Sequence, residues 1–562
     1  MFRLLLTILF AATLVHAQSQ QAWVDSLYTQ MTLDQKIGQL FMVMAYPDGN
    51  ASKRMATSKQ IQAQHIGGVL FSKGTSKQQL RDTRTYQNQA SIPLLIGADA
   101  EWGMGMRLTD EPAYPYAMTL GALPHSDLVY ALGKRLGTRK RSMGVHVTFA
   151  PVVDVNSESK NPIIGVRSFG DDPIKVAEQG AAFMEGLQAA GVWAVAKHFP
   201  GHGAAVQDSH IALPLINRSS KALDSIDLLP FQHLIDNKLK GVMVGHLAVP
   251  ALTANDSIPV STSSLVVNDL LHDKMGFTGL VFTDALNMKG ISDSVDQPAL
   301  LAFMAGADVL LIPENLSSSI ANIKSHYLSG NITPARLAKS VKKILAAKHQ
   351  LALEQTKKGF YEVLPFASVD RYLVQQIAKQ SLVLAHRGKA FPIESKTKVA
   401  YVALGKQKDN SFLNALRQYA TVRQLSPYAA ADISLNETLV VGIYADTATP
   451  WRKQYLPTDE LKLLAKLLKH QNMHVVVFAK PYVLRQLSDI SSCSSVLLAH
   501  QQEPDFVKAA AQILFGKIDA VGEFPVAFEA FDWLFCASKY YQYFCVMLVK
   551  ETLFCKSFLI WK

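Results

Sequence analysis

The strongest constraint on the fold is a series of short apolar segments that recur along the first part of the chain. Eight of them, separated by longer polar stretches with helical spacing, lie at 38–44, 66–71, 93–98, 145–155, 192–196, 241–249, 279–282 and 307–312. They are apolar throughout rather than alternating, which is typical of parallel strands buried on both faces. Such strands alternating with helices predict an α/β fold with a (β/α)8 TIM-type barrel. A doubly wound open sheet is the competing arrangement, but no glycine-rich nucleotide turn follows the first strand.

A second, smaller α/β domain is predicted to follow the barrel. The chain has 562 residues, more than one hydrophobic core usually serves. Strand-like segments at 399–404, 439–444, 474–478 and 495–499 alternate with helical ones such as 460–470. We therefore expect the barrel over 22–350, a linker over 351–375 and an α/β sandwich domain over 376–528. No polar cluster follows the strands of the second domain, so we expect no catalytic role for it.

The N-terminus has the features of a secretory signal peptide. Met1-Phe2-Arg3 forms a short positive region, residues 4–15 are apolar, and Val15-His16-Ala17 presents small residues where a signal peptidase reads. We expect cleavage after Ala17, leaving residues 1–17 as the signal, and export to the periplasm or the cell exterior. An uncleaved anchor is the alternative, although the apolar run is short for a membrane span.

The C-terminal tail differs from the rest of the chain. Cys536, Cys545 and Cys555 crowd into residues 529–562 among many aromatic residues, whereas Cys493 is the single cysteine before them. The body therefore cannot form an internal disulfide and must be stabilised by packing. We interpret the tail as a segment outside the native coding sequence, such as the product of a shifted reading frame. A short hydrophobic extension that packs on the second domain is the alternative.

The charge of the chain does not indicate a nucleic-acid partner. The formal net charge is +11, but Lys and Arg are scattered and form no dense basic block. A soluble enzyme with a basic surface explains this distribution, and we expect neither nucleic-acid binding nor a stable membrane span after signal cleavage.

Polar side chains lie near or just beyond the ends of five of the apolar segments. They are Asp99 and Glu101, Asp154, Lys197 and His198, His246, and Asp284. In a TIM-type barrel the loops at the carboxyl ends of the strands build the active site. These residues are therefore predicted to meet at one end of the barrel.

The segment 197–210 contains a possible general acid/base. Asp208 and His210 lie two residues apart on a loop, so that the carboxylate can orient the imidazole and raise its basicity. A surface histidine is one alternative. Another is a zinc site formed by His198, His202 and His210, but their spacing fits no structural zinc pattern and no cysteine joins them.

Asp284 ends a strand within the sequence FTDALNMKG at 282–290. A carboxylate at this place can attack an anomeric carbon and form a covalent glycosyl-enzyme. It can equally cap the N-terminus of a following helix. The residues alone leave both interpretations open.

Several segments together resemble glycoside hydrolase family 3, and within it the β-N-acetylglucosaminidase branch. The KHFPGHG segment at 197–203 with DSH at 208–210 is similar to the signature of that branch, and TDALNMKG at 283–290 resembles its nucleophile loop. GADAEWG at 97–103 with Arg107 resembles its substrate loop, although Trp102 stands where glycine is usual. RSFGDDP at 167–173, preceded by Asp154, matches another family segment. The resemblance covers about residues 25–530.

The resemblance implies roles for individual residues. Asp284 corresponds to the nucleophile, His210 to the acid/base and Asp208 to its dyad partner, while the sugar-binding positions correspond to Asp99, Arg107, Arg167, Lys197 and His198. It also implies a retaining exo-β-N-acetylhexosaminidase that removes terminal N-acetylglucosamine from peptidoglycan or chitin fragments. No cofactor and no metal are implied.

Other activities remain open from the sequence. A β-glucosidase or xylosidase of the same family takes its acid/base from a glutamate of the second domain and lacks the Asp-x-His loop. Hexosaminidases that use the substrate's own acetamide carry an adjacent Asp-Glu pair, which no strand end here has. Transfer of the sugar to phosphate and a non-catalytic cell-wall-binding protein are further alternatives. The aglycone and the oligomeric state are not determined by the sequence.

Overall fold

The computed structural model describes residues 20–208, 211–353, 361–407, 409–427, 433, 437–445, 456–468, 470–487 and 491–527. The predicted signal peptide and the cysteine-rich tail lie outside these residues. None of the helices within them combines the length and hydropathy that crossing a bilayer requires.

Eight parallel strands form the first sheet. They are Phe41–Ala45 (β1), Gly68–Phe71 (β2), Leu95–Ala98 (β3), Val147–Thr148 (β4), Trp193–Phe199 (β5), Gly241–Val244 (β6), Leu280–Thr283 (β7) and Leu310–Leu311 (β8). Consecutive strands pair from β1 to β7, and β1 pairs with β8. A parallel bridge between Phe282 and Val309 joins β7 to the residues that lead into β8. The ends of the sheet therefore meet, which confirms the predicted TIM-type barrel and contradicts the open doubly wound sheet.

Helices alternate with the barrel strands. The α-helices lie at 20–30 (α1), Leu33–Gly38 (α2), Ala51–Gln64 (α3), Ser76–Gln89 (α4), Ala117–Gly121 (α5), Asp127–Ser142 (α6), Pro173–Ala189 (α7), Ser220–Ala222 (α8), Leu228–Asp236 (α9), Pro250–Thr253 (α10), Lys289–Ser292 (α11), Pro298–Ala305 (α12), Leu316–Leu328 (α13) and Pro334–Gln350 (α14). The π-helical and 3-10 turns lie at Leu223–Asp227, Leu265–Lys274, Met104–Met106, Gly165–Arg167 and Val260–Thr262. Several of the α-helices have an N-cap side chain. Those of Thr32, Asp172 and Thr333 accept backbone N–H groups of the first turns of α2, α7 and α14.

The barrel core explains why the strands are apolar throughout. Every residue of β2, β3, β6 and β7 is buried. The fully buried rings of Phe149 and Phe282 meet edge to face, with their centroids 5.4 Å apart. Because both faces of these strands are covered, polar residues are excluded until each strand ends.

A second sheet of six strands follows the barrel. Its strands are Val383–Arg387 (β9), Lys398–Gly405 (β10), Thr421–Leu425 (β11), Thr438–Tyr444 (β12), Met473–Phe478 (β13) and Ser495–Leu498 (β14), in the order β11-β10-β12-β13-β14-β9. Its helices are Ser368–Ser381 (α15), Ser411–Leu416 (α16), Thr458–Leu467 (α17), the 3-10 turn Pro481–Gln486 and Pro504–Leu514 (α18). All pairs are parallel except β14 with β9. The predicted smaller α/β domain is confirmed, while its exact boundaries stay a prediction.

The sequence interpretation missed two strands of this sheet, β9 and β11. They are the two edge strands. In β11 only Val422 is buried, and in β9 buried and partly exposed residues alternate. An edge strand is covered on fewer sides, so it does not need the continuous apolar run by which β10, β12, β13 and β14 were recognised.

A buried carboxylate joins α15 to the barrel. Asp370, in the first turn of α15, accepts hydrogen bonds from the Tyr114 hydroxyl at 2.6 Å and from two nitrogens of Arg135, each at 2.7 Å. A second contact lies near the end of the described chain, where Asp171 accepts the backbone N–H of Ala527 at 2.8 Å. The residues after 361 are thus fixed to the barrel by charged hydrogen bonds as well as by apolar packing.

We expect Asp370→Ala to lower the free energy of unfolding by about 3 kcal/mol, because it leaves Arg135 and Tyr114 without their buried partner. Burial alone raises the pKa of Asp370, but the hydrogen bonds from Arg135 and Tyr114 outweigh it and bring the pKa to about 2. A carboxylate whose pKa is lower in the folded state stabilises the protein above the unfolded pKa of about 4. This contribution is lost as the pH falls from about 4 to about 2.

Urea unfolding at pH 7, and at several values between pH 4 and pH 2, measures both effects. Asp519→Ala is the control, because Asp519 is an exposed carboxylate of the same region. Unfolding curves of Asp370→Ala that coincide with those of Asp519→Ala would contradict the assigned role.

Candidate active site

A pocket of about 390 Å³ opens at the carboxyl ends of the barrel strands. Residues in or just after all eight strands line it, among them Met44, Ser72, Asp99, Phe149, His198, Met243, Asp284 and Ile312, and Arg167 joins them from the turn at Gly165–Arg167. Its volume lies in the range of small-molecule sites, and it has an apolar wall with a few convergent charged groups. The expectation that the polar residues after the strands meet at one end of the barrel is therefore correct.

Asp99, just after β3, is held by two cations. Its carboxylate accepts a hydrogen bond from Lys197 Nζ at 2.6 Å and pairs with the guanidinium of Arg107, whose Nε also donates to the Asp99 carbonyl oxygen at 2.7 Å. Burial alone raises the pKa of Asp99, but the charges of Lys197 and Arg107 outweigh it and hold the pKa well below its usual range. Asp99 is thus an ionised acceptor on the pocket wall.

Glu101 forms a second ion-pair cluster beside the first. Its carboxylate binds the guanidinium of Arg167 at 2.7–3.1 Å and lies 2.8 Å from Lys197 Nζ. Burial tends to raise the pKa of Glu101, and the charges of Arg167 and Lys197 overcome that tendency and lower it. Lys197 therefore bridges two carboxylates. Sequence reasoning placed Glu101 at this end of the barrel but assigned it no individual role in the site.

A buried lysine supports the loop that carries both carboxylates. Lys140 Nζ, reaching in from α6, donates to the carbonyl oxygen of Ala100 and to Thr148 Oγ1, each at 2.8 Å. Burial lowers the pKa of Lys140 to about 7. The contact fixes the peptide between Asp99 and Glu101. No sequence signal pointed to Lys140, because it lies between two other basic residues in the last turn of an ordinary helix.

Asp154 organises the end of β5 from the loop after β4. Its Oδ2 accepts from His198 Nδ1 at 2.7 Å, and its Oδ1 accepts the backbone N–H groups of His198 and His202 at 3.1 and 2.7 Å. Burial works against the ionised form, but the two histidines lower the pKa of Asp154 overall. With Nδ1 donating to Asp154, His198 Nε2 faces Arg167 at 3.4 Å and lies on the pocket wall.

The turn after β5 brings His202 to the pocket wall through two close approaches to neighbouring segments. A Cβ on Gly203 would lie 1.8 Å from the carbonyl oxygen of Val155, and one on Gly201 would lie 2.7 Å from Cβ of Asp227. Gly201 also has a φ of 141°. Only glycine fits these two positions, which is the physical reason for the Gly-His-Gly sequence.

Asp284 follows β7 and lines the pocket floor. Its Oδ1 accepts the backbone N–H of Ala285 at 2.8 Å, and the other carboxylate oxygen remains for the pocket. Burial raises the pKa of Asp284, but the neighbouring imidazoles of His198 and His246 outweigh this effect and lower the pKa overall. The carboxylate is therefore ionised at neutral pH.

The alternative interpretation, in which Asp284 caps the N-terminus of a following helix, is wrong. The next helix, α11, begins at Lys289 with Met288 as its N-cap. His246, after β6, donates its Nε2–H to the Ala285 carbonyl oxygen (3.2 Å), and its Nδ1 is hydrogen-bonded to Ser261 Oγ (2.8 Å), so that it supports the residue next to Asp284.

The predicted acid/base pair consists of His210 and its partner Asp208. His210 lies outside the described residues, and Asp208, the last described residue before it, is not among those that line the pocket. The carbonyl oxygen of Asp208 accepts the N–H groups of Ile211 and Ala212 at 2.9 and 3.1 Å. Their roles stay predictions.

Two other sequence expectations concern Trp102 and a metal. The Trp102 ring packs against Tyr116 with centroids 5.0 Å apart, and Trp102 is not among the residues that line the pocket. Its departure from the family pattern therefore does not obstruct the pocket. Within the described ranges, no group of three or more His, Cys, Asp or Glu side chains is placed to hold a metal ion.

Comparison with known proteins bears on the whole barrel. A model of the glycosyl hydrolase family 3 N-terminal domain matches residues 32–347, a range that runs from α2 to near the end of α14 and contains every strand of the barrel. A β-N-acetylglucosaminidase/β-glucosidase of Cellulomonas fimi is 32% identical over 346 residues, which are 59% of this chain and 60% of that protein. The match thus spans less than two thirds of that relative's length.

Two further relatives extend the similarity beyond the barrel. The β-hexosaminidase A of Pseudoalteromonas piscicida is 28% identical over 438 residues, covering 69% of this chain and 73% of that protein. The solved structure of a glycoside hydrolase family 3 β-N-acetylglucosaminidase from Paenibacillus sp. str. FPU-7 superposes with a TM-score of 0.74 at 28% identity. It covers 88% of this chain and 99% of that one, so the similarity includes the second sheet.

Proposed function

Since the chain belongs to glycosyl hydrolase family 3, we propose that it is a retaining exo-β-N-acetylhexosaminidase acting through a covalent glycosyl-aspartate intermediate. The observation that carries the proposal is the ionised carboxylate of Asp284 at the end of β7, in a pocket whose opposite wall holds the ion-paired residues Asp99 and Arg167. The names of the relatives from Cellulomonas fimi and Pseudoalteromonas piscicida support the choice of sugar.

In the first step Asp284 attacks C1 of the terminal sugar. A bond forms between the carboxylate oxygen and C1 while the bond from C1 to the leaving oxygen breaks, through an oxocarbenium-like transition state. The leaving oxygen takes its proton from His210, oriented by Asp208. The Ala285 N–H fixes one carboxylate oxygen of Asp284, which leaves the other for the attack.

In the second step water replaces the leaving group. Neutral His210 accepts a proton from the water, which attacks C1 and releases Asp284 as a carboxylate. Two inversions at C1 give net retention of configuration. Asp99 accepts hydrogen bonds from sugar hydroxyls, and Arg107, Arg167 and Lys197 donate to them, while His198, whose Nδ1–H is bound to Asp154, offers Nε2 as an acceptor.

Water rather than phosphate is the proposed acceptor. The three cations on the described pocket wall, Arg107, Arg167 and Lys197, are each paired with Asp99 or Glu101. A phosphate dianion would have to compete with these carboxylates for its positive partners. Transfer to phosphate is the second candidate, because a histidine acid/base repels an anionic acceptor less than a carboxylate does.

We further propose that the enzyme is exported and acts in the periplasm or outside the cell on peptidoglycan or chitin fragments with a terminal β-linked N-acetylglucosamine. The signal-like residues 1–17 support export. The pocket is small, which favours a terminal sugar over an internal position of a polymer.

The test compares p-nitrophenyl N-acetyl-β-glucosaminide with p-nitrophenyl β-glucoside, each with and without inorganic phosphate. We expect a higher kcat/KM on the glucosaminide, no acceleration by phosphate, and a β-anomeric first product by NMR. A sugar 1-phosphate product would establish the phosphorylase instead, and an α-anomeric first product would contradict the covalent intermediate. No turnover of either substrate would favour the cell-wall-binding alternative.

A further inference from the structure

One imidazole in the pocket has no use in the site described so far. His202 lines the pocket, its side chain is buried with 2% of the residue exposed, and neither ring nitrogen has a hydrogen-bond partner among the described residues. Buried polar atoms are nearly always paired, because desolvation without a partner is unfavourable. An unpaired imidazole at a pocket wall therefore points to a partner that enters the pocket.

The position of the His202 ring is fixed by its backbone rather than by its side chain. Its N–H donates to Asp154 Oδ1 at 2.7 Å, and its carbonyl oxygen accepts from Asn161 Nδ2 at 2.9 Å. The ring meets the ring of His198 edge to face, with centroids 5.7 Å apart. The ring is thus held in place while both of its nitrogens remain for another group.

Asp99 and Arg167, which also line this pocket, differ from His202 in having protein partners. Asp99 is bound to Arg107 and Lys197, while Arg167 is bound to Glu101. A sugar that binds Asp99 or Arg167 must therefore share these side chains with their existing ion-pair partners. A hydrogen bond to His202 breaks no existing contact.

We propose that His202 is a further sugar-binding residue, whose neutral imidazole hydrogen-bonds a ring hydroxyl of the terminal sugar; this rests on the proposed function. Burial and the nearby positive charge of His198 lower the pKa of His202 to about 4. Above pH 5 the ring therefore has one N–H donor and one nitrogen acceptor. A hydroxyl group, which donates and accepts, matches that pair, and it is shared by glucosides and glucosaminides.

The test replaces His202 with phenylalanine, which keeps a planar ring without polar atoms, and with glutamine, which keeps one donor and one acceptor. We expect His202→Phe to lower kcat/KM by about 5- to 50-fold on both p-nitrophenyl substrates. His202→Gln should recover activity to within about 3-fold of the wild type. His474→Phe is the control, since His474 is another buried imidazole with an unpaired nitrogen but belongs to β13.

A purely structural role predicts a different set of results. Because the ring makes no hydrogen bond in the free protein, His202→Phe should leave the Tm unchanged or raise it, and should weaken N-acetylglucosamine binding in calorimetry. A lower Tm with unchanged kcat/KM and sugar affinity would overturn the proposal. So would a loss confined to the glucosaminide, which would indicate contact with the acetamido group. If the wild type itself neither binds nor cleaves these sugars, the proposed function fails, independently of His202.

Discussion

Replacing Asp284 with alanine is expected to lower kcat on p-nitrophenyl N-acetyl-β-glucosaminide by about 10⁴-fold or more, because no other group can form the bond to C1. Asp284 follows β7, is ionised, and is held by the Ala285 N–H. The overall fold should be unaffected, since the hydrogen bond that the Asp284 side chain accepts comes from the next residue, Ala285, and not from another barrel element.

Chemical rescue makes this prediction sharper. Removing the carboxylate leaves room for a small anion, so added azide should attack C1 and displace p-nitrophenolate with a single inversion, giving the α-glycosyl azide. Asp293→Ala is the matched control, since Asp293 is an exposed carboxylate at the end of α11. An Asp284→Ala enzyme with full activity, or azide rescue with a β-configured product, would refute the mechanism.

Replacing Asp154 with alanine is expected to have the second-largest effect, and on stability as well as activity. Asp154 is fully buried and accepts three hydrogen bonds, two from His198 and one from the His202 backbone. Its removal leaves these donors unpaired inside the barrel, so we expect the free energy of unfolding to fall by about 3–5 kcal/mol. His198 loses its orientation at the same time, so kcat/KM should fall by about 10²-fold.

The pH dependence of this contribution follows from the lowered pKa of Asp154. Burial opposes ionisation, but His198 and His202 bring the folded pKa below its ordinary value. The stabilisation is therefore present above the unfolded pKa of about 4 and is lost as the pH falls through the lower folded value. Urea unfolding of Asp154→Ala and wild type should accordingly differ at pH 7 and converge at strongly acidic pH.

Asp154→Asn keeps the size of the side chain but removes its negative charge, so it distinguishes the contributions of the two. The amide keeps an acceptor for the two backbone N–H groups but presents N–H groups to His198 Nδ1, so it should retain more stability than alanine while still impairing kcat/KM. Asp519→Ala serves again as the exposed control. An Asp154→Ala protein as stable as this control would show that the three hydrogen bonds contribute nothing net.

Much of the fold could be predicted because strands that are buried on both faces appear in the sequence as continuous apolar runs. The eight barrel strands were recognised from runs in which both faces are covered, and the polar residues at the ends of five of these runs marked the carboxyl end where the pocket forms. The edge strands β9 and β11 were missed because their exposure permits polar residues. Asp284 could not be distinguished from a helix cap until the start of α11 was known.

The sequence by itself therefore determined the barrel, the second α/β domain and six of the residues that line the pocket: Asp99, Arg107, Arg167, Lys197, His198 and Asp284. Only the tertiary structure decided which of these charges pair. Lys197 meets Asp99 across 98 positions of the chain, and Asp154 reaches His198 across 44. The tertiary structure likewise showed the ion pair of Glu101 with Arg167, the contact of Lys140 with Ala100 and the position of His202 on the pocket wall. Burial and partners of a side chain are set by residues remote in sequence, and the pKa depends on both.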